Sequence, residues 1–516
     1  MAPAVLALFT ASAFATPPSS SPAWPTLGGN EARSFHTDIT PALEQPRWLR
    51  THDDGSNPID WIAQSPPIIY DRRAYAIGCV GFFTYLFAIE LHDGAIAWSI
   101  CIDPPGFDAW AGPTADPHNN TILVSSGFTL EAFDADTGAS IWINDLDDPV
   151  VNATPVVTQD LGPADRAFLT TFDVPGVAAE LLCVNVDPYH PTLNPWKPGD
   201  TVWSKTIDGS GGTSPTYHDA VVYVTTTGKP FAITPTPGAI RAYDATAFTA
   251  PPPTWTYTLP ITQGFFGGLS IHNDDLYAAT YAFFGGQNAG QLVSLNAHTG
   301  HPRWTVSANR TSSIPIAIDA GEQRLVALAA GFNGFGSVPS IQLFQDLDTH
   351  ATRLNDTALD TFNDLDMDTA IDPGEYLPLG GWTHHPVLLT DVGVPLLLTG
   401  EPDLSGLDFA PHNGLRLLNL AQQPTSPAFI EAASPHGGGS PAVAGDCVVS
   451  VGATGLVAFG LCQSADLNHD GAVDIDDLYA FEQSPSDLSG DGLIDPFDRA
   501  LIERAIRGFD QRSRTR

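Results

Sequence analysis

Apolar and polar residues alternate along most of this chain in short Val/Ile/Leu/Tyr/Phe runs, each interrupted by turn residues before it reaches helical length. Alternation of this kind places successive side chains on opposite faces of a strand. The pattern predicts an all-β fold. Three segments repeat the pattern almost residue for residue: LFAIELHDGAIAW (Leu86 to Trp98), LEAFDADTGASIW (Leu130 to Trp142) and LVSLNAHTGHPRW (Leu292 to Trp304). A looser copy, IRAYDATAFTAPPPTW, ends at Trp255. Each reads as a strand, a tight Asp/His-x-x-Gly turn and a second strand carrying Trp.

A hairpin with a Ser/Thr-Pro start precedes these copies: QSPPIIYDRRAYAIGC from Gln64, ATPVV from Ala153, TSPTYHDAVVYVTT from Thr213 and GSPAVAGDCVVSVG from Gly439. Weaker versions begin near Gly112, Gly268, Ser313 and His384, which makes about eight units. Sheets this small cannot bury their faces alone and are stable when stacked radially, with the Trp packed between neighbours. Trp48 in PRWLR precedes the first such hairpin, whereas the last, Ser440 to Cys462, has no Trp strand after it. The strand around Trp48 is therefore expected to complete the last sheet and close the ring, removing its free edges.

These residues resemble the PQQ-type β-propeller repeats, whose hallmark is Leu-x-Ala-x-Asp-x-x-Thr-Gly-x-x-x-Trp after a Ser-Pro hairpin. The opening WPTLGGNEARSFHT (Trp24 to Thr37) is similar to the segment that commonly precedes the first blade of that family. The resemblance spans roughly Trp24 to Cys462 and implies a propeller of about eight blades. It carries little about function, because the scaffold serves quinone dehydrogenases as well as assembly and binding proteins. Quinoprotein alcohol dehydrogenases hold their quinone beside two adjacent, ring-joined cysteines, and this chain has no Cys-Cys pair. PQQ is therefore not expected as a cofactor.

Composition sharpens the picture. Gly 47 and Pro 45 punctuate the chain throughout, as a turn-rich β protein requires. Lys+Arg 21 against Asp+Glu 58 gives a formal charge of -37, which repels phosphate backbones and anionic lipid; nucleic acid is excluded as a partner class. Met1 to Ala15 is an apolar run ending in Ala13-Phe14-Ala15, a signal-peptide pattern, although no Lys or Arg precedes it. Residues 16–23 then read as a linker. No later run is long enough for membrane insertion, so an exported protein, extracellular, periplasmic or on the cell surface, is expected. Export permits disulfides among the 5 Cys. Cys447 and Cys462 flank two strands about a Gly452 to Gly455 turn, and equal arms would set them opposite each other; Cys79, Cys101 and Cys183 read as buried small hydrophobes.

Catalytic signatures are lacking. There is no G-x-S-x-G, H-E-x-x-H, G-x-x-x-x-G-K-[ST] or C-x-x-C. GFNGFG (Gly331 to Gly336) follows a β pattern and reads as a blade loop, and His384 and His385, adjacent on a strand, should point to opposite faces. Paired carboxylates of the glycosidase kind cannot be singled out among 58 acids.

The strongest chemical motif is C-terminal. Calcium takes six to eight oxygens, which a twelve-residue loop supplies from positions 1, 3, 5, 7, 9 and 12, with Gly at 6. In DLNHDGAVDIDD these are Asp466, Asn468, Asp470, the Ala472 carbonyl, Asp474 and Asp477. In DLSGDGLIDPFD they are Asp487, Ser489, Asp491, the Leu493 carbonyl, Asp495 and Asp498. Val473 and Ile494, apolar at position 8, suit pairing of the two loops, and Leu501, Ile502, Ala505 and Ile506 form a helical apolar face ending at Gly508. A third candidate, DLDMDTAIDPGE, offers Asp364, Asp366, Asp368, the Ala370 carbonyl, Asp372 and Glu375, but has Thr369 where Gly is wanted. Asp rather than Glu at position 12 resembles type I dockerin, a duplicated calcium-loop and helix module that binds cohesin modules. That resemblance covers residues 465–508, leaving a basic tail at 509–516, and implies two calcium ions and a protein partner, cohesin-like or another surface receptor.

The sequence is thus read as an all-β propeller of about eight blades at 24–462 with a small α-helical, dockerin-like calcium domain. The function read from it is that of an exported binding or scaffold protein, with a protein or polysaccharide ligand for the propeller and the C-terminal module as attachment device. The alternative is a secreted enzyme of polysaccharide breakdown, a glycoside hydrolase carried by that module; a quinone-dependent dehydrogenase ranks below both.

Overall fold

The computed structural model describes residues 23–37, 43, 45–104, 111–173, 178–209, 213–229, 235–282, 286–331, 337–360, 377–391, 394–402, 413–445, 447–460, 475–485, 499 and 502. The chain divides into a large unit, Pro22–Gln463, and a smaller one that includes Ser464–Arg516.

The large unit is a ring of eight antiparallel sheets in chain order, each starting at the axis and working outward. The inner strands are Ile68–Tyr70 in blade 1, Thr114–Asp116 in blade 2, Val156–Val157 in blade 3 and Thr216–His218 in blade 4. They continue with Leu269–His272, Ile316–Ala320, Val387–Asp391 and Ala442–Ala444 in blades 5 to 8. Blade 2 carries its second and third strands as one run, Thr121–Asp134, reversed at Gly127, so that the Ala135 amide donates to the Asn120 carbonyl at 3.0 Å. Blade 8 is completed by Pro46–Arg50, which pairs with Gly455–Phe459 and sets Trp48 across from Ala458. The ring closes where the hydrophobic pattern places the closure, and the inner strands of blades 8 and 1 touch.

The recurring Trp explains how one blade finds the next. Each outer-strand Trp lies on the turn between the third and fourth strands of the following blade. A Cβ added at Gly94 would lie 2.8 Å from the Trp48 ring, at Gly138 2.6 Å from Trp98, at Gly199 3.0 Å from Trp142 and at Gly300 2.5 Å from Trp255. Gly94, Gly138 and Gly300 have φ of 72°, 70° and 68°, so the Asp-x-x-Gly turn needs glycine both for its backbone and for the ring above it. The indole N–H then donates to the same turn: Trp48 to the Leu91 carbonyl at 2.7 Å, Trp98 to Ala135 at 3.0 Å, Trp203 to Ala247 at 2.9 Å and Trp255 to Ala297 at 2.9 Å. At blade 5 the acceptor is a side chain, Asp346 Oδ1 at 2.8 Å from Trp304.

The outer strands of blades 6 and 7, Ala351–Asp356 and Ile430–Ser434, carry no Trp. There a continuous apolar cluster takes over, centred on Leu388, Leu389, Leu396, Leu397, Leu398, Leu415, Leu417 and Leu418 of blade 7 and running into blades 6, 8 and 1. In the smaller unit, helix α1 (Ile475–Gln483) buries Phe481, and Ile502 is buried as well. Arg499 Nε lies 3.1 Å from Glu482 Oε1.

Replacing Gly300 by Ala forces a side chain into the left-handed region beneath Trp255 and is expected to cost about 1–3 kcal/mol. Trp255→Phe, which strands the Ala297 carbonyl, should cost about 1 kcal/mol. Gly286→Ala, with no atom within 4 Å of its new Cβ, is the control and should be neutral. Urea midpoints of the three variants measure this, and equal midpoints for Gly300→Ala and Gly286→Ala would remove the docking argument.

Candidate functional site at the propeller axis

Eight inner strands leave a row of unpaired backbone groups facing the axis, where a ligand or cofactor of a propeller would ordinarily sit. In this chain the segment Trp24 to Thr37 occupies that space. Trp24 exchanges hydrogen bonds with Ile69 of blade 1 at 2.8 and 3.0 Å. The Pro25 carbonyl accepts from Ala115 of blade 2 at 2.7 Å, Glu31 from Tyr217 of blade 4 at 2.9 Å and Ala32 from Ile271 of blade 5 at 3.0 Å. Phe35 accepts from Leu388 of blade 7 at 2.8 Å, and His36–Thr37 runs parallel to that strand as a fifth member of its sheet. The segment supplies the acceptors that the inner edges lack.

Arg33 is the centre of this plug and is fully buried. Its guanidinium donates to the carbonyls of Pro215 (2.8 Å), Leu27 (2.8 Å), Thr154 (3.1 Å) and Pro155 (3.4 Å) and to Thr26 Oγ1 (3.4 Å). It ties the plug to blades 3 and 4 through carbonyl dipoles, without a carboxylate in hydrogen-bond reach. Burial pushes its pKa down to about 9, with Glu31 opposing the shift, so the group stays cationic at neutral pH.

Beside the plug lies a cavity with room for about one water molecule, lined by Leu27, Asn152, Thr154, Ser214, Ser312 and His385 among others. That is far below the roughly 300–1,000 Å³ of an ordinary small-molecule pocket. His385 stacks on Phe35 with ring centroids 5.4 Å apart, and its Nδ1 accepts from the Ile314 amide at 3.1 Å. Burial, helped by the charge of Arg33, lowers its pKa to about 3 and keeps it neutral. His384 turns away into blade 7, where its Nε2 accepts from the Gly400 amide at 3.1 Å. Among the described residues the cavity therefore presents backbone, small hydroxyls, the Asn152 amide, a few apolar side chains and one neutral imidazole. Neither the space for a quinone nor a pair of adjacent cysteines is present beside the plug among the described residues.

The positions singled out in the sequence lie elsewhere. Asp466 to Asp474, the second loop at 487–498 and the third candidate at 364–375 are outside the described residues, as is Cys462. Ile475 and Asp476 open α1, and Asp477 lies within it. Cys447 is disulfide-bonded, and Cys462, the partner expected from the sequence, lies outside the described residues. One cysteine expectation changes. Cys101 is exposed and Cys79 half-buried, because each lies in a part of its strand where solvent reaches one face; only Cys183 is fully buried, and burial pushes its thiol pKa up. All three are free thiols. Arg33 went unnoticed in the sequence, although an Arg two residues from a Glu in a Gly-Gly segment of a Lys-poor chain was the available signal.

No protein-family model matches the chain, and no curated protein matches it in sequence. Solved structures do resemble it. A europium-containing methanol dehydrogenase superposes with a TM-score of 0.55 at 10% identity, covering 94% of this chain and 96% of that one. BamB from Moraxella catarrhalis gives 0.48 at 15% identity over 82% and 98%. The quinohemoprotein alcohol dehydrogenase of Comamonas testosteroni gives 0.44 at 14% over 84% and 70%. At such identities the likeness to the methanol dehydrogenase establishes the propeller fold and nothing of the chemistry.

His385 makes a pH prediction. Its folded pKa lies below the ordinary value of 6.5, so the unfolded chain binds a proton that the folded chain excludes. The stability is complete above about pH 6.5 and is lost as pH falls toward 3, approaching about 1.4 kcal/mol per pH unit. Between pH 6.5 and 5, above the carboxylate range, His385→Asn should lose about 1–2 kcal/mol less than the parent. Urea unfolding at the two pH values measures the difference, and parallel pH slopes would show that His385 is not held neutral.

Proposed function

We propose that this chain is an exported, non-catalytic binding propeller whose C-terminal calcium module attaches it to a surface protein. The observation that carries the reading is the occupied axis: the chain's own residues 24–37 fill the space in which a cofactor or substrate would be held, and Arg33 is saturated by backbone carbonyls. A plug of this kind rigidifies the ring as a display scaffold and leaves recognition to its outer surfaces. Phe82 and Phe83 of blade 1 and Phe128 of blade 2, at the turns between second and third strands, are the sort of exposed aromatic side chains that protein interfaces use. No helix among the described residues is long and apolar enough to cross a membrane.

The attachment role rests on the donor chemistry of the two loops. Asp466, Asn468, Asp470, Asp474 and Asp477 with the Ala472 carbonyl would hold one calcium ion, and the second loop repeats the set from Asp487 to Asp498. The helix at Ile475–Gln483 begins where such a loop ends. Calcium would neutralise a dense group of carboxylates in a unit with a small core, so metal binding and folding of this unit should be coupled.

Purified full-length protein tests both halves. Incubated with PQQ and calcium and then gel-filtered, it should retain no quinone and should not reduce an artificial dye with primary alcohols; quinone retention with dye reduction would make it a dehydrogenase and end this reading. Metal analysis after dialysis should find two calcium ions per chain, or three if the 364–375 loop also binds. The Asp466→Ala/Asp487→Ala variant should lose two of them with the propeller's melting transition unchanged; equal calcium in both proteins would remove the attachment module.

The exported protein is further expected to link Cys447 to Cys462, contributing about 3 kcal/mol in the chain-entropy model for a loop of roughly 15 residues. Non-reducing peptide mapping should recover the linked pair. Recovery of both as free thiols would contradict it.

A further inference from the structure

At the end of the ring opposite the second-to-third-strand turns, the seam between blades 4 and 5 gathers two imidazoles and two carboxylates. His218 ends the inner strand of blade 4, and Asp219 follows it in the hairpin turn. Asp274 occupies the matching turn of blade 5, and His298 lies on the turn between the third and fourth strands of that blade. His218 Nε2 is 3.7 Å from Asp219 Oδ2 and 3.6 Å from Asp274 Oδ1, while His298 Nε2 is 3.2 Å from the same Asp274 oxygen. The ligand atoms of His218, Asp219 and Asp274 all lie within 4.8 Å of one another.

Two of these separations are too long for hydrogen bonds. The two His218 separations lie a little beyond the edge of a tetrahedron around zinc, about 3.3–3.5 Å for metal–ligand bonds of roughly 2.0–2.1 Å, and His298 joins the group through Asp274 alone. Rigid backbone holds the donors in place. Asp219 with Ala220 (φ 49° and 59°) and Asn273 with Asp274 (48° and 64°) are two-residue hairpin turns with both centres left-handed. The residue before His298 is clamped, since the Ala297 amide donates to the Asp274 carbonyl and its own carbonyl accepts from Trp255.

Neighbouring seams satisfy their carboxylates with protein donors. Asp319 receives Arg324 and Asn273, and Asp165 accepts from Thr158, the Leu161 amide and His118. Among the described residues, the side chains of Asp219 and Asp274 have no hydrogen-bond or ion-pair partner except these imidazoles. A site of an imidazole nitrogen and two carboxylate oxygens, with a second imidazole beside it, suits a borderline divalent metal, whereas calcium prefers oxygen alone. The two carboxylates balance its charge, and a chain of net charge -37 concentrates cations at its surface.

We propose that His218, Asp219 and Asp274 form a zinc site that bridges the seam between blades 4 and 5, with His298 held against Asp274 beside it. The site is distinct from the C-terminal calcium loops and lies on a different part of the chain. Zinc there would act on the ring as a removable clamp, binding the folded seam and not the unfolded chain.

Full-length protein in millimolar calcium, which keeps the C-terminal loops supplied, is given zinc chloride and gel-filtered. One zinc per chain should be retained, the melting midpoint should rise, and a chelator should reverse both. Cobalt(II) in place of zinc should give the visible bands of a tetrahedral centre. His218→Ala/His298→Ala should lose the retained zinc, the cobalt bands and the zinc-dependent rise, with the same midpoint as the parent in chelator because both side chains are at the surface. Absence of retained zinc in the parent, or equal zinc and an equal midpoint rise in parent and variant, would overturn the site.

Discussion

The contact on which this fold depends is a Trp ring lying on a glycine of the next blade's turn. It recurs at Trp48, Trp98, Trp142 and Trp255 with Gly94, Gly138, Gly199 and Gly300. The contact joins three needs in one place: a large apolar area leaves water, an indole N–H finds a fixed carbonyl, and a left-handed turn position takes the residue that tolerates it. None of the three works for a sheet standing alone. Each blade supplies the ring for one neighbour and the turn for another, so stability is shared around the circle. Where the outer strand has no Trp, after blades 6 and 7, the Leu-rich blade 7 replaces a directional contact by bulk burial.

Docking of this kind fixes the angle between blades and so the width of the axis, which then has to be filled. The plug meets that need with backbone as much as with side chains. Its carbonyls take the inner-edge amides of blades 1, 2, 4, 5 and 7, and Arg33 takes carbonyls of blades 3 and 4. A guanidinium suits this task because its planar fork can serve several acceptors at once and remains charged even after burial lowers its pKa to about 9. The same arrangement fills the part of the axis beside residues 24–37 with the chain's own backbone and side chains.

Much of this was legible in the sequence because a repeat states its local rules many times over. The Trp spacing, the Asp-x-x-Gly turns and the orphan Trp48 strand predict the blades and their closure from alternation alone. Relations between units were harder to read. Cys101 was read as buried by residue type, yet its strand exposes every second side chain. The plug has no local signature of its destination, since each of its hydrogen bonds goes to a different, distant blade. His218, Asp274 and His298 belong to separate turns, and only the ring brings them together. The proposed calcium loops are the reverse case: their ligands would all come from twelve neighbouring positions, so spacing by itself suggests the chemistry.

The stretch from Trp24 to Arg50 thus performs two tasks that both require the rest of the propeller. Its first part fills an axis that exists only when the blades stand in a circle. Its last part pairs Leu49 with Val457 and Arg50 with Leu456, near the other end of the propeller sequence. Contacts so far apart in the chain carry an entropic cost of closure that nearer contacts do not. Until Gly455–Phe459 is available, Pro46–Arg50 has no sheet to join, and blade 8 presents an open edge. Closure and plugging are therefore coupled: the strand that completes blade 8 is anchored a few residues from the segment that fills the axis, so an event that releases one loosens the other. A clamp at a single seam, such as the one between blades 4 and 5, would stabilise the whole circle for the same reason, because a ring cannot open at one joint without changing the angle at the rest.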